Sequence, residues 1–263
     1  MPEPAPLSLE DIQFVDSHWS VLVAEDNEAC RRDLRRALND YQFPIEVVEV
    51  SSTAQLIDEL GSNRHDIAFV DIALGTSSGL EAVAQARECG MRTFVVIASG
   101  SQTAVDRADA KALGAYEFIG KPLQTTDVHR VLDAFQRISS PSSALLIDDS
   151  GTARKLMTRI FERSMFRVMV DEAPDGIEGI EKFARAPTDF VFIDLNMAAL
   201  DGLSTARIFR AFSDKVKIVL VSGDPGALAE ISGMRTLQKP FGPRELDVLL
   251  HDLYGLEHPS LAR

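Results

Sequence analysis

Short apolar runs of strand length alternate along the chain with segments of helical periodicity. VLVA at 21–24, IAFVDIAL at 67–74 and TFVVIAS at 93–99 are nearly unbroken apolar stretches. EACRRDLRRALND, GLEAVAQAREC and TARKLMTRIFERS instead recur at the three-to-four spacing of one helical face. Alternation of this kind predicts βα units. Strands without a polar face are expected where helices cover both sides of a sheet, which points to a doubly wound parallel sheet.

The pattern occurs twice. VLVAEDN and ALLIDDS put Asp26 and Asp149 123 residues apart, and Asp71 with Asp194, Gly79 with Gly202 and Ser99 with Ser222 keep that separation. Only the Lys-Pro pairs depart from it, Lys121-Pro122 and Lys239-Pro240 standing 118 residues apart, so the second copy is five residues shorter by that point. The expected organisation is a lead-in over 1–17, a first domain over 18–138, and a polar SSPSS linker at 139–143. A second domain over 144–255 and a C-terminal tail over 256–263 complete it. Each copy has room for five strands, giving two doubly wound five-stranded parallel sheets of flavodoxin-like βα repeat.

Composition narrows the function. A length of 263 residues suits two domains, each able to bury its own core. The net charge of −13 argues against direct nucleic-acid binding, which depends on Lys and Arg neutralising phosphates. Arg31, Arg32, Arg35 and Arg36 cluster, but at helical spacing a solvated face is the simpler reading. Two cysteines without metal-finger spacing suggest a reducing compartment. The absence of a basic-then-apolar start or of ~18 consecutive apolar residues suggests a cytoplasmic protein without a membrane anchor.

Side chains at the carboxyl ends of strands in such sheets meet in a crevice where strand order reverses. Glu25, Asp26, Asp71, Ser99 and Lys121 are expected at that rim in the first copy, and Asp148, Asp149, Asp194, Ser222 and Lys239 in the second. A lone acid at a strand end is usually just solvated, and a lone Lys-Pro pair means little. An acid pair followed by Asp, Ser and Lys in the same order, twice, is hard to obtain by chance. Crowded carboxylates need a cation, and a hard, oxygen-ligated ion with open coordination positions fits Mg²⁺, one per domain. An aspartate beside a metal, a lysine and a hydroxyl is equipped for phosphoryl transfer as the nucleophile.

On these residues both copies resemble receiver domains of bacterial response regulators, over about residues 18 to 255. The resemblance implies that Asp71 and Asp194 accept a phosphoryl group. Metal ligation would fall to Glu25, Asp26, Asp71 and the backbone oxygen of Ala73, and in the second copy to Asp148, Asp149, Asp194 and the backbone oxygen of Asn196. Ser99 and Ser222 would hydrogen-bond the phosphoryl group and Lys121 and Lys239 would pair with it. Phe118 stands where family members carry the switch aromatic, and the Lys-Pro bonds are expected to be cis. A histidine kinase or phosphotransfer protein as donor, a downstream protein partner and an option of homodimerisation are also implied. None of the five histidines sits in a kinase-like context, and beyond their own phosphotransfer and autodephosphorylation the domains are not expected to be enzymes.

The copies also depart from the family pattern. The second reads DLNMAALDG, with Ala198 where proline is usual; the first reads DIALGTSSG, with Leu74, Gly75 and Ser78 in place of Met, Pro and Asp. At the aromatic position the second copy has Thr236, and Pro225, Gly226 and Gly233 leave its fourth helix barely two turns, so the first copy is expected to keep the usual signalling face. No output domain is recognisable. The readings that compete are one phosphorylated receiver with the other a docking or dimerisation scaffold, the unusual first copy being the silent one, and an aspartate-nucleophile phosphatase. The phosphatase would want Asp-x-Asp on the nucleophile strand, and Asp71-Ile72-Ala73 and Asp194-Leu195-Asn196 lack it. A flavodoxin-type cofactor site would need a phosphate-cradling loop that neither EDNEACRR nor DDSGTARK supplies.

Overall fold

The computed structural model describes residues 18–75, 77–101, 103–197 and 200–261. The expected lead-in at 1–17 and Ala198 lie outside them.

In the first domain β1 (Trp19–Ala24), α1 (Glu28–Asn39), β2 (Ile45–Val50), α2 (Thr53–Gly61) and β3 (Ile67–Asp71) alternate as the pattern predicts. A hairpin of β4 (Ala73–Leu74) and β5 (Ser77–Ser78) follows, then α3 (Gly79–Glu88), β6 (Phe94–Ser99), α4 (Ala104–Ala112), β7 (Glu117–Gly120) and α5 (Thr125–Ser139). The sheet order is β2-β1-β3-β6-β7, parallel throughout. Every side chain of β3 is buried, as expected of a central strand covered on both faces.

The second domain repeats the order with β8 (Ser142–Ile147), α6 (Gly151–Phe161), β9 (Val168–Ala173), α7 (Gly176–Arg185), β10 (Phe190–Asp194), α8 (Gly202–Phe212), β11 (Lys217–Ser222), α9 (Pro225–Ala229), β12 (Arg235–Gln238) and α10 (Pro243–Tyr254). Its sheet runs β9-β8-β10-β11-β12, again parallel. The central strand β10 is likewise wholly buried. With Gly226 inside it and Gly233 soon after, α9 is short, five residues with Pro225 in the first turn and Asp224 accepting from the Gly226 amide at 2.8 Å.

Boundaries differ from those expected. The SSPSS stretch is not a five-residue linker: α5 runs through Ser139 and β8 begins at Ser142, leaving Ser140 and Pro141 between them. Pro141 cannot extend the helix, and the Ser142 amide is drawn into the sheet by the Arg167 carbonyl at 2.9 Å. By compactness the division falls inside α5, after Asp133, and Pro259–Leu261 belong with the first domain.

Two glycines position the site. A Cβ at Gly79 would lie 2.0 Å from the Asp71 carbonyl oxygen, and one at Gly202 would lie 2.2 Å from that of Asp194. The helix after each central strand starts so close to the strand's last residue that no side chain fits. Gly79→Ala and Gly202→Ala are therefore expected to lower stability by about 1–3 kcal/mol in urea unfolding. Gly61→Ala, at the end of α2 with nothing within 4 Å, should be neutral or stabilise by up to ~1 kcal/mol.

Burial on α10 pushes the Asp247 carboxyl up to about 6, although it accepts from the Ser164 hydroxyl at 2.5 Å and the Met165 amide at 3.2 Å. A carboxyl bound more tightly to its proton in the folded state contributes stability below its ordinary value near 3.8 that is lost as pH rises through about 6. Asp247→Asn should flatten the pH dependence of unfolding of the second domain between about pH 4 and 6.

Candidate functional site

Each site is assembled at the carboxyl edge of its sheet. In the first domain Glu25 immediately follows β1, Asp71 ends β3, Ser99 ends β6 and Lys121 follows β7. Parallel register sets Asp71 opposite Ala98, one residue short of Ser99, and Ser99 opposite Gly120, one short of Lys121. The Lys121 amide donates to the Ser99 carbonyl at 2.9 Å, which fixes the lysine at the rim. Lys239 and Ser222 repeat this bond at 2.8 Å.

In each domain the lysine and two of the acids meet at the rim. Lys121 Nζ lies 2.5 Å from Glu25 Oε2 and 2.7 Å from Asp71 Oδ2. Lys239 Nζ lies 2.6 Å from Asp148 Oδ2 and 2.7 Å from Asp194 Oδ1. All four acids are buried, as are Ser99 and Ser222. Burial depresses each lysine, but hydrogen bonds and attraction from its two carboxylates outweigh it and the net shift is upward. Both lysines are thus cations at neutral pH. The serine hydroxyl oxygens accept from the amides of Ser101 and Asp224, each at 3.1 Å, which aims the hydroxyls without committing their protons.

Asp26 and Asp149 are exposed, and each precedes a helix N-cap, Asn27 for α1 and Ser150 for α6. Carboxylate oxygens of Glu25, Asp26 and Asp71 come within 4.8 Å of one another, an oxygen-only set suited to a hard divalent cation. Among the described residues no equivalent grouping forms from Asp148, Asp149 and Asp194. Ala73 and Asn196 both lie on the loop beyond the central-strand aspartate, and the Asn196 amide donates to Asp194 Oδ2 at 3.0 Å.

In the unusual loop of the first copy Ala73 and Leu74 pair antiparallel with Ser78 and Ser77. Gly75 adopts φ +67°, in the left-handed region glycine favours, and its amide donates to Asp26 Oδ2 at 3.1 Å. Leu74 is fully buried where the second copy buries Met197. Ser78 caps α3 by accepting from the Leu80 amide at 3.2 Å, and Asp201 caps α8 by accepting from Ser204 at 2.8 Å. Serine and aspartate are both good N-caps, so the substitution preserves the helix start. Both Lys-Pro bonds are cis, and Phe118 is buried in the first core.

Two arginines have a role at the site that the sequence pattern does not assign to them. Arg31 Nη1 donates to the Glu25 carbonyl at 2.6 Å, and Arg154 Nη1 to that of Asp148 at 2.7 Å. Each also faces a glutamate of the second strand: Arg31 is 4.0 Å from Glu49, and Arg154 Nε is 3.0 Å from Glu172. Both arginines are mostly covered, so Arg31 leaves the solvated face assigned to its cluster, while Arg35 stays exposed and pairs with Glu49. The signal was present: Arg31 with Arg154, and Glu49 with Glu172, keep the 123-residue separation.

The family model for the response regulator receiver domain matches residues 21–133 and again 144–251. The acid tolerance regulatory protein ActR of Sinorhizobium medicae (strain WSM419) is 25% identical over 191 residues, 65% of this chain and 96% of that protein. A protein-glutamate methylesterase/protein-glutamine glutaminase of Myxococcus xanthus (strain DK1622) is 34% identical over 115 residues, 41% of this chain but only 33% of the relative. A solved two-component system response regulator/GGDEF domain protein superposes with a TM-score of 0.57 at 23% identity, covering 90% of this chain and 99% of that one, a likeness of fold.

Lys121→Met and Lys239→Met would leave two buried carboxylates facing each other without a counter-charge. Each is expected to destabilise its domain by on the order of 3 kcal/mol in metal-free buffer at neutral pH. Denaturant titration with and without Mg²⁺ checks this, with part of the Lys121→Met loss recovered when the ion is present.

Proposed function

The chain belongs to the response regulator receiver domain family, twice over, and on that premise we propose that both strand-end aspartates, Asp71 and Asp194, are phosphoryl acceptors. The observation that carries this reading is the recurrence, in both domains, of a buried aspartate held by a lysine at 2.7 Å beside a buried serine on the neighbouring strand end. A carboxylate oxygen of the aspartate attacks the donor's phosphorus. The new O–P bond forms as the donor's bond to phosphorus breaks, and the donor leaves with that electron pair. Lys121 or Lys239 then has a phosphoryl oxygen to pair with, and the Ser99 or Ser222 hydroxyl donates to another.

Glu25, Asp26, Asp71 and the Ala73 backbone oxygen would hold Mg²⁺ in the first domain, and Asp148, Asp149, Asp194 and the Asn196 backbone oxygen in the second. The ion supplies charge neutralisation of the transferring group. Arg31 and Arg154 hold the main chain at the first of these acids, which fixes where its carboxylate points. The domains act only on themselves, in phosphoryl transfer and autodephosphorylation. The activity in the methylesterase's name stays with that protein, of which this chain spans about a third.

Receiver domains take phosphoryl groups from histidine kinases or phosphotransfer proteins, and the donor here is of that class. The negative charge supports signalling by protein contact rather than on nucleic acid. No helix of the described residues is long and apolar enough to cross a membrane, and the two cysteines are free thiols, which supports action in the cytoplasm. A reading with one accepting domain and one docking domain is favoured by a single observation, the gathering of metal-binding oxygens in the first domain alone among the described residues. On that second reading the first domain would be the accepting one despite its unusual loop.

Incubation with acetyl phosphate and Mg²⁺, followed by intact mass, tests the proposal. Two added phosphoryl groups are expected, with Asp71→Asn and Asp194→Asn each removing one. A single group lost in Asp71→Asn would establish the one-acceptor reading, and no addition to any form would overturn both.

A further inference from the structure

The segment Pro259–Leu261 belongs with the first domain although the second domain lies between them in sequence. It meets the edge strand β7, whose unpaired backbone groups would otherwise be open. The Ser260 amide donates to Glu117 Oε1 at 2.8 Å, its hydroxyl donates to the same oxygen, and that hydroxyl also reaches the Phe118 carbonyl at 3.2 Å. Arg107 of α4 donates to the Ser260 carbonyl at 3.4 Å while its guanidinium lies 5.1 Å from the centre of the Phe118 ring. Leu261 is 5% exposed and joins the core cluster that contains Phe118, Ala110 and Ala115.

Glu117 explains why this place needs an occupant. Its side chain is 1% exposed, one oxygen paired with Arg130 at 2.9 Å and the other receiving Ser260 and the Phe118 amide. Without Ser260 a buried carboxylate loses two of its donors, and such a group is costly to leave part-satisfied. The combination of a buried acceptor, an edge-strand carbonyl and an apolar hole selects a hydroxyl residue followed by an aliphatic one, which is Ser260-Leu261.

We propose that Pro259–Leu261 is an intrachain latch: a Ser-Leu segment docked on the edge strand of the first domain that opposes phosphoryl transfer to Asp71. This rests on Asp71 being the acceptor. Glu117 and Phe118 begin the four-residue strand that ends at Gly120, and Lys121 is the next residue. Lys121 Nζ is held by Asp71 and Glu25, a pairing that Lys239 makes with its own two acids in the second domain without a latch. A phosphoryl group on Asp71 has to come between the lysine and the carboxylate, so Lys121 must shift while the strand that carries it is clamped. Whatever transfer must move, the latch holds, and by linkage the factor by which closure disfavours the phosphorylated state at equilibrium is the factor by which phosphorylation of Asp71 loosens the latch.

Two measurements test this. Hydrogen exchange on the intact chain should find the Ser260 amide protected, with protection lost in Glu117→Ala; exchange at an unprotected rate in the intact chain would overturn the latch whatever Asp71 does. Transfer from acetyl phosphate with Mg²⁺, followed in an Asp194→Asn background that confines it to the first domain, should be roughly 5-fold or more faster when the chain is cut after His258, and faster in Ser260→Ala. Equal rates with Asp71 phosphorylated would overturn the latch and leave the acceptor reading intact. No phosphorylation of either the intact or the cut chain would overturn both.

Discussion

In each domain a single ammonium group holds two buried carboxylates that would otherwise repel each other, and the rest of the site is arranged around that contact. Lys121 spans Glu25 and Asp71, and Lys239 spans Asp148 and Asp194, at 2.5 to 2.7 Å. Two acids and one lysine leave an unbalanced negative charge in a place water reaches poorly. The chemistry follows from that imbalance: a divalent cation relieves it, and with the ion in place the lysine is free to meet a phosphoryl oxygen.

Delivering those groups to one point is a matter of backbone geometry. Parallel register puts the serine and the lysine one residue beyond their neighbours, so each strand end reaches a little further across the rim. Gly79 and Gly202 let the following helix close on the aspartate's own carbonyl, and the serine or aspartate before each glycine caps that helix. Arg31 and Arg154 tie the first-strand acids from the other side. The aspartate's main chain is thus held against the following helix while its carboxylate meets the lysine at the rim.

Much of this was legible in the residues themselves, because repetition supplied an internal control. The two sheets, the gathering of strand-end acids with a lysine at each rim and the shortening of α9 were readable, since strand ends and the Pro225, Gly226 and Gly233 positions act locally. The repeated arginine–glutamate pairs were equally present but were masked in the first copy by the surrounding Arg32, Arg35 and Arg36, which read as a solvated face. What could not be read was tertiary. The SSPSS stretch has the composition of a linker, yet Ser142 and Ser143 take strand positions because β9 offers them a register. Likewise nothing local distinguishes Ser260 and Leu261 from a solvated tail; their place depends on a buried glutamate 143 residues earlier.

Acyl phosphates are reduced by borohydride to the alcohol, which marks the accepting aspartate permanently as homoserine. Trapping the chain after incubation with a phosphodonor and Mg²⁺, then mapping its peptides, reads the chemistry at single residues. The account predicts homoserine at positions 71 and 194 and at no other acid, with none formed when the ion is chelated. Label on Asp26 or Asp149, or phosphate retained only on a histidine, would contradict it.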